Sequence, residues 1–536
     1  MAEAADIVIV GAGATGLAFA WRLANLQPNL RILLVERGDF VNQRNASSKK
    51  NDWELALQKS FHANPNIRKS AADYPVDESQ TPIKPAFFNA VGGSTIRWGA
   101  HFPRFRPSDF CSFSQDDIAA DWPLNYDDLA PYMDINDEMM GVSGLAGDPA
   151  NPVRAERGHP PLGFCTGSRK LAEAANKLGW HWWPADAAIA STDSVVGRGA
   201  CNNCGPCGIG CPRHARASAD IAYLKAAQQV GVNLITCKIV KQIITINGEI
   251  KAVEVINQNG TIMKINCGEL VLAGNALSTN ILLRSIDGWH NQLLGQGLML
   301  HPTAIVTGYF KEDLQSYAGP FATSIVSQQF CETDQARGFL RGFQMQVLRS
   351  QGPLSTALGG YGKRLPWGAQ HNRDFDSAFG RSISLTITCE DLPEAENRIE
   401  VDKSRLDKFG MPTARMIYRL GENSLKMRDF GIARAREWLV AAGAQKIAVT
   451  PLSEQAGFHL MGTAQMGSCA KKSVTRNDGR VHGFENLTII DASVFVTSSP
   501  VNPTSTLQSL ALRAADLMSA RPVSYTHLTL PTKRSV

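Results

Sequence analysis

Asp6–Val10 (DIVIV), Gly11–Gly16 (GAGATG), Leu17–Leu26 (LAFAWRLANL) and Arg31–Glu36 (RILLVE) form the stretch that decides the fold. The first run is short, apolar and β-branched, and reads as a buried parallel strand. The third carries its apolar residues at helical spacing, and RILLV reads as a second strand ending at Glu36, 25 positions after Gly11. Strand, G-x-G-x-x-G, helix, strand and acid in this order predict a dinucleotide-binding unit. Gly11 permits the tight turn, Gly13 lets a pyrophosphate approach the backbone, and Gly16 lets helix and strand pack closely. Phosphates would sit at the helix N-terminus, where free N–H groups and the macrodipole attract anions. Glu36 can accept hydrogen bonds from an adenosine ribose and would repel a 2′-phosphate. A plain glycine turn in an α/β unit is the alternative, and the fingerprint alone does not choose between FAD and NAD.

The chain around this unit has 536 residues, 44% hydrophobic and 19% charged, with a net charge of +5. That composition describes a globular protein of two lobes, or one with large insertions. Its small net charge and lack of Lys/Arg blocks argue against nucleic-acid binding. No apolar run is long enough to span a bilayer. The first strand begins by residue 6, which leaves no room for a signal peptide's apolar core. If the protein is exported, something else must carry it.

Downstream, polar Arg37–Pro85 reads as extended or loop structure over the nucleotide. Gly92-Gly93-Ser94-Thr95 suits backbone pressed against a flat or charged ligand, or a turn before a helix. Asp121–Leu124 followed by Asn125–Gly141 predicts a capped amphipathic helix. Ser218–Val230 reads as a helix and Asn233–Val240 as a strand. Asn247-Gly248 and Asn259-Gly260 then mark two hairpins. Glu269–Ala273 is a buried strand leading to a helix at STNILLRS. A meander inserted before the returning strand is typical of the flavin variety of dinucleotide fold. The expected class is therefore α/β, a Rossmann-like FAD-binding domain with an α+β substrate domain on an antiparallel sheet. The domain reading is 1–300 for nucleotide binding, with cap segments near 38–85 and 110–195 and a cysteine-bearing iron–sulfur loop near 198–215. It continues with 301–452 for substrate and 453–521 for a return to the first domain. In the second region AIVTGYF, GFQMQVL and SISLTITCE alternate as strands, and Ile432–Ala442 is helical. The tail 522–536 (PVSYTHLTLPTKRSV) has no period, resembles translated adapter read-through, and is set aside.

Chemistry points to the C-terminal stretch. His459 lies in a loop rich in glycine and hydroxyl residues, and an imidazole is a natural base for a hydroxyl proton. A helix opening at Asn502-Pro503-Thr504 could aim its positive end at a ligand that becomes negative. Seven cysteines are scattered and read as buried small hydrophobes. Cys201, Cys204, Cys207 and Cys211 follow C-x₂-C-x₂-C-x₃-C-P, the spacing of bacterial iron–sulfur ferredoxins. Structural zinc fits this spacing poorly, and disulfides require an oxidising compartment.

Together, the fingerprint, VGGST–RWGA (91–100), LAGNA (272–276), GLMLHP (297–302), HLMGTAQMG (459–467) and the Asn-Pro-Thr helix start resemble the glucose–methanol–choline (GMC) oxidoreductases. The resemblance runs from Asp6 to about Met518. It implies bound FAD, oxidation of a carbinol to a carbonyl, and a catalytic pair at His459 and Asn502. It also implies FAD contacts from Gly11, Gly13, Thr15, Gly16, Glu36, Arg37, Gly92, Gly93, Ser94, Trp98, Val240, Ala273, Asp491, Asn502, Pro503 and Thr504. The cysteine insertion is similar to that of bacterial FAD-dependent sugar dehydrogenase catalytic subunits. There, matching positions Cys201, Cys207 and Cys211 would hold a three-iron cluster, and Cys204 leaves [4Fe–4S] open as well. That branch implies a sugar, sugar acid or polyol substrate, a small exported partner subunit, and a cytochrome c or quinone acceptor. It also implies a periplasmic location with membrane contact only through partners, a cytoplasmic one being the alternative. An oxygen-using alcohol oxidase and a non-catalytic electron-transfer flavoprotein are the competing functions.

Overall fold

The computed structural model describes residues 3–43, 52–193, 197–349, 352–359 and 367–521. The tail 522–536 and part of the polar stretch after Glu36 lie outside these residues.

The first sheet is built outward from Glu3–Val10. That strand pairs in parallel with Ile32–Val35 on one side and with Ile262–Leu272 on the other. Alternate residues of DIVIV enter two different cores: Ile7 and Ile9 face the helices, while Val8 and Val10 face the opposite layer. A strand covered on both faces needs no polar alternation, which is why this run is continuously apolar. The Ala14–Leu26 helix lies over the first face beside the Thr504–Ser519 helix, tied to it by the Arg22–Asp516 ion pair at 2.6 Å. Lys238–Ile246, Glu249–Asn257 and Ile262–Leu272 form the antiparallel meander expected from the two Asn-Gly turns. Leu487–Ile489 rejoins this sheet in parallel with Ile262–Leu272, 215 residues after that strand ends.

The second sheet runs Lys446–Thr450, Thr303–Tyr309, Ser382–Cys389, Phe343–Leu348, Ile325–Phe330 and Trp183–Pro184, in that order. Its pairings are antiparallel. Phe343, Met345 and Val347 join Ile383, Leu385 and Ile387 in a core with the Thr166–Leu178 and Glu422–Ala441 helices. Trp438 anchors that core by donating its indole N–H to the Leu171 carbonyl at 2.7 Å.

Three expectations are corrected. Asn233–Val240 is not one strand. Asn233–Ile235 pairs with Ile32–Val35, the chain turns at Cys237 (φ +57°), and a separate strand starts at Lys238. The helix expected at Ile432 begins at Glu422, with Gly421 as its cap. Arg37–Pro85 contains regular structure: helices at Trp53–Gln58 and Pro65–Arg68, and a strand, Val76–Gln80, parallel to Pro412–Ile417. Tyr126–Met140 is helical as expected, with the Asn125 side chain accepting from Asp128 N and Asp128 returning the bond. Among the described residues no helix is long and apolar enough to cross a membrane.

Candidate active site

The glycine segments meet at the end of the first sheet. Gly11 turns with φ +104°, and a Cβ on Gly16 would lie 2.0 Å from the Gly11 carbonyl oxygen, so the helix sits directly on the turn. The Ala12 carbonyl accepts from Gly92 N at 2.7 Å, which lays Gly92–Ser94 against the fingerprint. Gly13 caps the helix without a side-chain bond, and no acid stands in the first turn. The N–H groups of that turn have no intrahelical acceptors. A Cβ on Gly13 would meet only Gly93 Cα, at 3.8 Å. The first turn is thus donor-rich, carries no acid of its own and presents no side chain at Gly13, which fits a dinucleotide pyrophosphate.

The remaining cofactor candidates divide. Thr15 is buried in the first helical turn, and Ala273 N donates to the Val10 carbonyl beside Gly11. Buried Glu36 uses its two oxygens to accept from Ala12 N (2.8 Å) and Gly38 N (2.7 Å), so it braces the loop while each oxygen keeps a lone pair. Burial raises its pKa against the pull of those N–H groups. Ser94 Oγ accepts from Phe88 N, and Trp98 donates its indole N–H to Ala217. Val240 is a buried core residue of the meander. Asp491 accepts from Ser493 N and from the Thr279 hydroxyl, joining the C-terminal segment to the Asn275–Leu283 helix. Arg37 is turned elsewhere: it bonds Ala72 and Asp407 and covers the Tyr74 ring at 4.6 Å. Pro503 and Thr504 open the C-terminal helix without a side-chain cap or an acid.

His459 has a partner that spacing did not suggest. Its Nδ1 lies 2.9 Å from Nδ1 of His301, and His301 Nε2 lies 2.6 Å from the Ser499 carbonyl and 3.1 Å from that of Ser498. A carbonyl only accepts, so His301 Nε2 carries a proton. Burial holds the His301 pKa down to about 4, so the ring is neutral and its Nδ1 is an acceptor. His459 Nδ1–H therefore donates. Burial, with His301 and His101 nearby, keeps the His459 pKa well below its ordinary value. Its Nε2 is left as an unprotonated lone pair. Ser499 in turn donates its hydroxyl to Asp109 at 2.7 Å. Burial favours the neutral form of Asp109, but Arg106 and Arg341 hold its pKa below the usual range. Asn502 follows Ser499 by three residues, and its Oδ1 is buried with no partner. His301 lies in the GLMLHP motif, and its contact with His459 spans 158 positions, a separation that no local motif or spacing reports.

Cys201, Cys204, Cys207 and Cys211 line one cavity together with Arg216. Burial pushes the Cys207 thiol up to about 12 and raises that of Cys201. Among the described residues no three Cys, His, Asp or Glu side chains gather closely enough to hold a metal ion. The surrounding cations are unusual. Among the described residues, Arg216, 1% exposed, bonds the Thr95 and Ile96 carbonyls and the Gln43 amide oxygen. Buried Arg349 bonds the Ala318 and Gly163 carbonyls, and Arg198 those of His214 and Ala215. Arg341 shows the contrast, with Asp109, Asp116 and Glu390 all in contact.

Family models described as GMC oxidoreductase match residues 5–303 and 393–511. The chain is 34% identical to 2-methyl-1,2-propanediol dehydrogenase of Mycolicibacterium austroafricanum, over 97% of this chain and 96% of that one. It is 26% identical to the fructose dehydrogenase large subunit of Gluconobacter japonicus, over 96% and 97%. Among solved structures, pyridoxine 4-oxidase from Mesorbium loti shares the fold with a TM-score of 0.67 at 16% identity, covering 97% of this chain and 100% of that one.

Proposed function

The chain belongs to the GMC oxidoreductases and is an FAD-dependent enzyme of hydroxyl groups; from that premise we propose a dehydrogenase of a sugar, sugar acid or polyol, with His459 as its base. One observation carries this reading: the Ser499–His301–His459 chain leaves His459 Nε2 as a lone pair that ordinary pH does not protonate. That atom takes the hydroxyl proton. The Asn502 amide supplies a hydrogen bond to the same end of the substrate. FAD, when bound along Gly11–Gly16 and Gly92–Ser94, supplies the acceptor for the carbinol hydrogen, taken as hydride.

We further propose that Cys201, Cys204, Cys207 and Cys211 hold an iron–sulfur cluster, [3Fe–4S] or [4Fe–4S]. Support comes from two buried guanidiniums, Arg216 and Arg349, and the half-buried Arg198, whose direct acceptors among the described residues are neutral. Buried cations of this kind call for a nearby anion, and cysteine thiolates around a cluster are anionic. Bound, such a cluster supplies a one-electron carrier toward a cytochrome c subunit or quinone. The likeness to a dehydrogenase large subunit supports working beside partner subunits; a periplasmic location, with membrane contact only through such partners, is part of the same proposal.

Two measurements test the reading. His459→Ala loses turnover by about 10²–10⁴-fold while keeping FAD, and near wild-type turnover removes His459 from its role. Protein purified without oxygen contains iron and acid-labile sulfide. A yellow protein with neither, reoxidised rapidly by oxygen, is an oxidase instead.

A further inference from the structure

Segments that lie far apart in the sequence meet behind the base. Met299 and Met461 exchange backbone hydrogen bonds, Met299 N donating to the Met461 carbonyl at 3.0 Å and Met461 N to that of Met299 at 3.1 Å. Carrying that antiparallel register two residues further sets His301 opposite His459, which is why the two rings touch. Ser498 and Ser499 form the next segment, their carbonyls accepting from His301 Nε2.

Neither His301 nor Ser499 holds its place by local preference. Their φ angles are +57° and +56°, the left-handed region that residues with a Cβ avoid. Such backbone persists where its surroundings fix it, and one residue reaches both. Asp391 Oδ2 accepts at 3.0 Å from the N–H of Leu300, which precedes His301. Asp391 N donates at 2.8 Å to Oγ of Ser498, which precedes Ser499, and that hydroxyl donates to the Asp391 carbonyl at 3.0 Å.

Asp391 is 2% exposed, and its other side-chain partners are the hydroxyls of Tyr418 at 2.8 Å and Ser424 at 3.3 Å. Among the described residues it forms no ion pair, unlike Asp109 with Arg106 and Arg341. A carboxyl group kept from water among neutral donors is a costly way to hold a core together. An apolar side chain would pack there without that cost. What it could not supply is an acceptor for Leu300 N.

We propose that Asp391 is a positioning residue: it holds His301 against the Ser498 and Ser499 carbonyls and so fixes the tautomer that leaves His459 Nε2 free. The inference rests on the proposed role of His459 as the base and extends it to a carboxyl group that acts through His301.

The test uses flavin-loaded protein labelled with ¹⁵N at histidine, as wild type, Asp391→Leu, Asp391→Asn and Tyr418→Phe. Leucine keeps the branching of aspartate but accepts nothing. Asparagine keeps an oxygen for Leu300 N and Tyr418 and turns its NH₂ toward Ser424. Flavin bleaching without oxygen is followed with whichever of glycerol, 1,2-propanediol and D-sorbitol wild type oxidises fastest. Asp391→Leu gains a His459 Nε2–H signal at neutral pH, and its limiting rate falls about tenfold or more while half-saturation stays within about threefold. Asp391→Asn recovers the wild-type signal and comes within about threefold of the wild-type rate. Tyr418→Phe also loses a buried bond to Asp391 but leaves Leu300 N paired, so its Tm falls while rate and signal hold.

An unmoved His459 signal in Asp391→Leu, or a loss confined to half-saturation, overturns the proposal. So does a rate loss in Tyr418→Phe equal to that of Asp391→Leu, which would mark general loosening of the core. If Asp391→Leu does not accumulate, Ser498→Ala takes its place, removing the acceptor of Asp391 N while keeping the Ser498 carbonyl. Its rate falls roughly three- to tenfold with the same change of signal, and no change in either overturns Asp391. If wild type reduces its flavin with none of the three alcohols, the function proposed above fails, and the ¹⁵N signals still decide for or against Asp391.

Discussion

His301→Leu isolates the link between fold and base. His301 is 1% exposed, so the replacement stays inside the protein and meets no solvent. It removes the acceptor 2.9 Å from His459 Nδ1–H and the donor 2.6 Å from the Ser499 carbonyl. A buried donor left without a partner costs about 1–3 kcal/mol. His459 can escape that cost by moving its proton to Nε2, but that consumes the lone pair the reaction needs. Either route weakens the base, and at about 1.4 kcal/mol per decade the rate falls roughly 10- to 100-fold. His301→Gln is the control, because its amide still offers one acceptor to His459 and one donor to Ser499. It recovers to within about tenfold of wild type, the residual being imperfect geometry. The assay is stopped-flow bleaching of the flavin absorbance by substrate without oxygen, normalised to flavin content. A His301→Leu enzyme within threefold of wild type, or a His301→Gln enzyme as slow as the leucine variant, refutes the orientation argument.

Other outcomes follow from the same geometry. Gly13→Ala folds, its Cβ meeting protein only at 3.8 Å, but purifies with little FAD; Gly16→Ala, whose Cβ would fall 2.0 Å from a carbonyl oxygen, fails to accumulate as soluble protein. Equal flavin occupancy of Gly13→Ala and wild type would remove the glycine cradle from cofactor binding. His101 and His301 are held down to about 4 by burial, so the unfolded chain takes up protons that the folded one refuses as pH falls through 6.5 toward 4. Stability therefore drops on acidification, by about 2 kcal/mol per histidine between pH 6.5 and 5, read as a falling Tm in mild acid; a Tm flat over that window contradicts the burial of both rings. For the same reason of sign, kcat/KM stays level from pH 8 through 6.5, its acid limb lying below the ordinary histidine range, and a limb centred at 6.5 would mean that His459 is solvated. Arg216→Met removes a buried positive charge beside the cysteines and lowers the midpoint potential of the proposed cluster, which EPR-monitored titration reads; an unmoved potential disconnects Arg216 from it.

The nucleotide cradle was legible because its determinants are local. Gly11, Gly13 and Gly16 act within one turn, and the backbone conditions they meet follow from the absence of a Cβ. The meander was legible for the same reason, its two Asn-Gly turns fixing pairing between neighbours. Where the reading failed, a distant partner had the decisive part. The strand expected through Val240 is interrupted because Asn233–Ile235 is claimed by Ile32–Val35 while Lys238 starts a different ladder; propensity sees only β-branched residues in both. Val76–Gln80 (VDESQ) is a strand against all composition, held by Pro412–Ile417 and by Arg415 on Asp77 at 2.8 Å.

The site shows a harder limit. The Gln and Thr residues of GFQMQVL and SISLTITC were visible as alternation, but alternation reports only that two faces differ, not that both are covered. Burial converts those residues from surface into demands, since every polar atom taken from water must find a partner. Most do so inside the protein. A buried atom left over from that accounting beside the base, such as Asn502 Oδ1, is what a ligand can answer, and it emerges only when the other bonds have been assigned. His459 carries the converse lesson. Its identity as a base was readable from its loop, yet which nitrogen acts is set by His301, and the His301 tautomer by two serine carbonyls nearly two hundred positions away. If the imidazole orientation is inherited in this way, replacing either ring must alter the other's tautomer. ¹⁵N shifts of the two histidines in the resting enzyme report it directly: a His459 Nε2–H signal at neutral pH would reverse the order of donation and take the base away.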